Sequence, residues 1–145
     1  MRGDTCEIPI KSRANRAAAG LKVSRGYTVD VEIKGGCLCR AVRYRCSQPP
    51  LNMGVCQCDR CQRQSGSAFL MATVFDAHAV SVEGELKVYE ARNDQGAALR
   101  RHFCPTCGSA VMITLDRYPE IRSIMGGTLD DKSLLRPSYS LWTSA

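Results

Sequence analysis

The 145-residue chain is poor in aromatic side chains and in histidine, with one Trp, three Phe, five Tyr and two His. These aromatics are dispersed and Trp142 stands alone, so there is no aromatic and basic stripe of the kind on which nucleobases stack. Nucleic acid is therefore not an expected partner of the folded part. Long apolar runs are missing too. The longest, Ala68 to Phe75, has eight residues and contains Thr73, against the roughly 20 residues needed to cross a bilayer. No membrane span is expected. The first 20 residues carry charges throughout and no continuous apolar stretch, which is not the pattern of a secretory signal. A cytoplasmic, reducing location follows as the expectation, and no internal repeat divides the chain.

Against these shortages stand nine cysteines. In a reducing compartment clustered thiols serve as metal ligands or catalytic groups more often than as disulfides. The length suits one domain. Residues 1–28 read as a basic, poorly ordered extension, and residues 29–145 as the domain. Residues 1–30 hold six basic and three acidic side chains of a chain with formal charge +6. The remaining +3 is cancelled if seven thiolates hold two zinc ions, so the basic excess belongs to the extension.

The fold class reads as mostly β, with short antiparallel sheets and little helix. Val29, Val31 and Ile33 alternate on one strand face. After a turn expected at Gly35-Gly36, Val42, Tyr44 and Cys46 repeat the alternation, with Arg43 and Arg45 pointing the other way. Further strands are predicted at Ala68 to Phe75, Ala79 to Val82, Leu86 to Tyr89, Ala110 to Leu115 and Ile121 to Met125. A helical turn or two is predicted over Asp59 to Ser65.

Seven of the cysteines fall into three groups: Cys37 and Cys39; Cys56, Cys58 and Cys61; Cys104 and Cys107. Cys104-Pro-Thr-Cys107-Gly108 can turn tightly enough to aim both sulfurs at one ion. Cys37 and Cys39, two apart on an extended segment, project to the same side. Together these four predict a closed structural zinc site. Cys56, Cys58 and Cys61 offer three sulfurs and no obvious fourth ligand, the pattern of a zinc whose fourth position takes water or substrate. Two other partitions stay open: the three sulfurs could share a single site with the other cysteines, or His102 could close a second one. Cys46 reads as a core thiol. Arg63, Gln64, Ser65 and Gly66, just after the three-cysteine group, are candidates to present donors to an anionic substrate.

The run Gly35-Gly36-Cys37-Leu-Cys39, then Cys56-x-Cys58-x-x-Cys61 leading to Gly66-Ser-Ala-Phe, then Phe103-Cys104-Pro-Thr-Cys107-Gly108, then Gly127-Thr-Leu-Asp130, resembles the glutathione-dependent formaldehyde-activating enzyme family, also called the centromere protein V domain. The resemblance implies a β-tent fold with two zinc ions. It assigns Cys37, Cys39, Cys104 and Cys107 to a structural site and Cys56, Cys58 and Cys61 to a catalytic one. It further implies carbon–sulfur lyase activity, forming or cleaving S-hydroxymethylglutathione, with glutathione and formaldehyde as small-molecule partners. Near the C-terminus Ser140 stands where the family pattern has His, and the short segment beyond it is expected to leave one pocket wall open. The competing expectations are a zinc-stapled binding module that uses the basic extension for an acidic partner, and a thiol redox protein related by fold to methionine sulfoxide reductases.

Overall fold

A computed structural model describes residues 32–92 and 96–143. The extension expected over residues 1–28, with Cys6, Val29 and Val31, lies outside them. The chain is mostly β, as the alternating patterns predict. Strands β1 (Ile33–Gly36), β2 (Arg43–Cys46) and β5 (Val80–Glu83) form a three-stranded antiparallel sheet. The larger sheet has seven strands: β3 (Asn52–Cys56), β4 (Leu70–Asp76), β6 (Lys87–Arg92), β7 (Ala98–Phe103), β8 (Ala110–Leu115), β9 (Ile121–Met125) and β10 (Tyr139–Leu141). Their order across the sheet is β10-β3-β4-β9-β8-β7-β6. All neighbours are antiparallel except β10 and β3. The single α-helix among the described residues, α1, is Asp59–Ser65.

The two faces of the large sheet bury different things, and the strand register shows which residue goes where. On one face Phe75, Met112 and Ile124 pack with Ile33, Val42, Tyr44 and Cys46 of the small sheet, forming the main core. On the other face Leu70, Ile113 and Met125 pack with Cys56, Cys58 and Cys61, and Ala72, Leu99, Leu141 and Trp142 join them. Alternate residues of one strand serve opposite faces: Ile124 of β9 belongs to the first cluster and Met125 to the second. Helix α1 lies on the second side, with Cys61 as its buried residue.

Strands β8 and β9 and helix α1 occupy the residues their patterns predict. Three strands, β3, β7 and β10, are not signalled by alternation in the sequence. The Gly35-Gly36 turn is corrected: both glycines are in β1, paired with Tyr44 and Arg43, and the chain reverses between Cys37 and Val42. Cys37 and Cys39 thus sit in the hairpin loop and not on an extended segment, with Arg40 at φ 65° completing the reversal. Glycine is needed at position 35 for space, because a Cβ there would come within 2.1 Å of the Tyr44 hydroxyl oxygen and 2.4 Å of the Thr128 carbonyl oxygen.

Tyr44 is fully buried and its hydroxyl pairs with Thr128 Oγ1 at 2.9 Å, so it has nowhere to move. Gly35→Ala is therefore expected to cost about 1–3 kcal/mol through overpacking. Urea denaturation of the zinc-loaded protein checks this; a midpoint equal to that of the parent would show that Tyr44 does not clamp the hairpin.

Candidate metal centres

The four-cysteine centre is where two hairpins meet. The β1–β2 loop supplies Cys37 and Cys39, and the β7–β8 connection supplies Cys104 and Cys107. All four sulfurs lie within 4.8 Å of one another. The Cys37–Cys39 and Cys39–Cys104 separations are 3.5 and 3.7 Å. With Zn–S bonds of ~2.3 Å, the edge of a ZnS4 tetrahedron is about 3.8 Å. A disulfide would require about 2.05 Å, so these sulfurs are spaced for an ion between them. The Val42 N–H donates to Cys37 Sγ at 3.2 Å. Gly108, at φ 72°, lets its own N–H return to the Cys104 carbonyl at 2.9 Å and closes the knuckle between the second pair.

Cys37 and Cys107 are held below the ordinary thiol value, whereas at Cys39 the Ala41 N–H is outweighed by the neighbouring sulfurs, which push that thiol up to about 12. Burial pushes the Cys37 thiol up, but the Val42 N–H with the Cys39 and Cys104 thiols outweighs it and leaves its pKa below the ordinary thiol value. The Ser109 hydroxyl, 3.2 Å from Cys107 Sγ, together with the Ser109 N–H holds that thiol down to about 5. Donor chemistry and spacing both fit zinc. The contrast is Cys46, alone on β2 and fully buried, whose thiol is pushed up to about 11 by desolvation. It is an inert core residue, as its strand position suggests.

The three-cysteine group stands on the opposite face of the large sheet. Cys56 ends β3, Cys58 begins the turn into α1 as its N-cap, and Cys61 lies in the first turn of the helix. The N–H groups of Cys61 and Gln62 both bond the Cys58 carbonyl, at 2.9 and 3.0 Å, which folds the segment so that all three sulfurs converge. They too lie within 4.8 Å of one another, with Cys56 and Cys58 3.5 Å apart, and all three are buried. This spacing also fits a thiolate-bound metal.

The two other partitions of the cysteines have no support in this geometry. Seven sulfurs form two groups, of four and of three, on opposite faces of one sheet. His102 belongs to neither. It pairs across the strands with Met112, on the main-core face, and its Nε2 lies 3.0 Å from Thr114 Oγ1. Burial, and then the charges of Arg122 and Arg100, keep its pKa below the ordinary histidine value.

The other candidates divide. Arg63 is exposed and turns back to Asp59, with Nε to Oδ2 at 2.8 Å. The Ser65 hydroxyl donates within its own turn to the Gln62 and Phe69 carbonyls. Gly66, at φ 63°, caps α1. Gln64, in contrast, has a buried side-chain oxygen with no partner among the described residues. Ser140 accepts from Gln57 Nε2 at 3.1 Å, while the Gln57 N–H donates to the Leu141 carbonyl at 3.0 Å. On this side Leu141 and Trp142 pack on the three-cysteine cluster. Arg101 gives no motif signal, yet it also has a buried, partnerless nitrogen.

The two centres are expected to differ in what they hold together. Cys104→Ser should remove one metal equivalent and greatly destabilise the fold, because it unties the two hairpins. Cys61→Ser should remove the other with the fold retained. Metal content by native mass spectrometry, read beside thermal melting, checks the pair; equal destabilisation by both substitutions would contradict the division.

Comparison with known proteins agrees with this cysteine arrangement. A Halomonas elongata protein named "Putative glutathione-dependent formaldehyde-activating enzyme" is 31% identical over 110 residues, covering 72% of this chain and 69% of that protein. A crystal structure of a Rhodobacter sphaeroides protein aligns with TM-score 0.56 at 22% identity, over 73% of this chain and 98% of that one, which is a likeness of fold. The family model described as glutathione-dependent formaldehyde-activating enzyme matches residues 32–145. The chain belongs to the glutathione-dependent formaldehyde-activating enzyme family.

Proposed function

We propose that this protein is a zinc-dependent carbon–sulfur lyase that forms and cleaves the adduct of glutathione with formaldehyde at Cys56, Cys58 and Cys61. The observation that carries this reading is the count of ligands. Three buried sulfurs converge with no fourth Cys, His, Asp or Glu in their group among the described residues, beside a second centre that is complete with four. Three protein ligands leave one place for a substrate atom, whereas four close a site.

Zinc held by Cys56, Cys58 and Cys61 would supply Lewis acidity, which favours a substrate thiol in its thiolate form. In the forward direction the glutathione sulfur adds to the formaldehyde carbon, the carbon–oxygen double bond becomes a single bond, and the proton lost by sulfur is balanced by one gained at oxygen. Nothing is oxidised or reduced, so neither an external electron carrier nor a redox-active cysteine is required. The chain's own contribution is to hold and enclose. The Cys58 carbonyl, bonded by two helix N–H groups, fixes the cysteine turn, and Leu70, Ile113, Met125 and Trp142 restrict water around the sulfurs. Gln62 Nε2 donates to the Gln57 carbonyl at 2.7 Å and ties the helix to the end of β3. Holding sulfur and carbon together replaces a bimolecular encounter by a positioned one.

Exchange spectroscopy by NMR on an equilibrium mixture of glutathione and formaldehyde tests the activity. Catalytic amounts of the zinc-loaded protein should speed exchange between free glutathione and its hydroxymethyl adduct, and Cys61→Ser should return the rate to the uncatalysed value. A rate unaltered by the parent protein would refute the lyase reading.

A further inference from the structure

Folding rarely leaves a buried polar atom without a hydrogen bond, since its lost hydration is then not replaced, and the cost is greater when the group is charged. Four side-chain atoms are left this way among the described residues, on Gln64, Thr73, Arg101 and Ser123. Their placement is uneven. Thr73 pairs across the strands with Ile124, on the main-core face. The other three stand on the side of the three-cysteine cluster. Arg101 of β7 is directly opposite Ile113 of β8, a member of that cluster, and shares its strand face with Leu99, which packs there too. Ser123 of β9 is opposite the same Ile113. Gln64 is three residues beyond Cys61 on α1, the spacing that brings side chains to one face of a helix.

The chemistry of the unsatisfied groups is specific. A guanidinium is permanently charged, has only donors, and matches the two oxygens of a carboxylate with its planar fork. None of the salt bridges among the described residues assigns a carboxylate to Arg101, whereas Arg43, Arg45 and Arg63 each have one and Arg100 has two. Those five pairs are at the surface; Arg101 is on the sheet face that carries the three-cysteine cluster. An amide at Gln64 adds a group suited to a peptide bond.

We propose that Arg101 and Gln64 dock the thiol substrate at the three-cysteine site, Arg101 through a carboxylate of that substrate and Gln64 through its adjoining amide, so that the site selects carboxylate-bearing, peptide-like thiols. The inference rests on the three-cysteine group being the thiol site. Arg101 acts here as a binding residue and has no part in proton transfer.

Calorimetric titration of the zinc-loaded protein with glutathione and with glutathione diethyl ester tests it without recourse to turnover. The parent protein should bind the ester about 10- to 100-fold more weakly, the range set by loss of a charge-assisted pair. Arg101→Gln should lower affinity for glutathione by the same factor with little effect on the ester, and Arg101→Lys should fall between. Zinc content and melting temperature are measured alongside. Equal binding of acid and ester by the parent would overturn the proposal even if no variant folds. So would an Arg101→Gln variant that loses both ligands equally, since Arg101 would then serve only to balance thiolate charge. Carboxylate discrimination without catalysed exchange would reject the lyase reading and keep the docking pair; catalysed exchange without discrimination would reject the docking pair alone.

Discussion

Four sulfurs held within 4.8 Å of one another are the constraint on which the rest of this structure depends. As thiolates they repel, and as thiols they would waste buried volume on weak hydrogen bonds; a dication among them resolves both problems. Because Cys37 and Cys39 come from the small sheet's hairpin and Cys104 and Cys107 from the large sheet, the same ion would set how the two sheets meet. Gly35 and Tyr44 serve that junction. The glycine lets the Tyr44 ring lie across β1, and the Tyr44 hydroxyl reaches Thr128 in the segment after β9. The isolated pairing of Gly35 with Leu129 and the bond from the Asp130 N–H to the Lys34 carbonyl carry the contact onward.

With one face of the large sheet committed to this junction, the opposite face carries the second cysteine group. A sheet separates the two groups by the alternation of its side chains. The residues that keep the first centre rigid are thus not the residues that line the second. That separation is what gives the ligand count of three its functional weight. Cys56, Cys58 and Cys61 come from one short stretch of chain, a strand end and the first helical turn, so their convergence requires no distant element and ties no two parts of the fold together.

The cysteine groups, the strands β8 and β9 and the helix α1 were legible because each depends on local spacing. What escaped was whatever depends on a neighbour. Strand β3 is interrupted by Gly54, where a Cβ would strike the Tyr139 ring at 2.1 Å, a contact supplied by a strand more than 80 residues away. Strand β7, reading Ala-Leu-Arg-Arg-His-Phe, looks like a solvated charge run, yet it is covered on one side by β6 and on the other by β8. Adjacent arginines in it have unlike surroundings: Arg100 turns to Glu90 and Asp116, while Arg101 stands opposite Ile113. The glycine pair at 35 and 36 was misread for a related reason, since close approach by Tyr44 and the Val42 carbonyl demands small residues as strongly as a turn does.

One residue type meets three different surroundings in this chain. Cys46 lies in the main core outside both cysteine groups, and burial alone drives its thiol to about 11. Cys107 has Ser109 on two sides and three sulfurs close by, and is held at about 5. Burial by itself raises the one thiol, whereas oriented donors lower the other. The three-cysteine group has burial and mutual proximity with one sulfur fewer. Were that group to hold zinc and a substrate thiol, the Arg101 guanidinium on the same sheet face would complement an anionic group of that substrate through a nitrogen that no described residue engages.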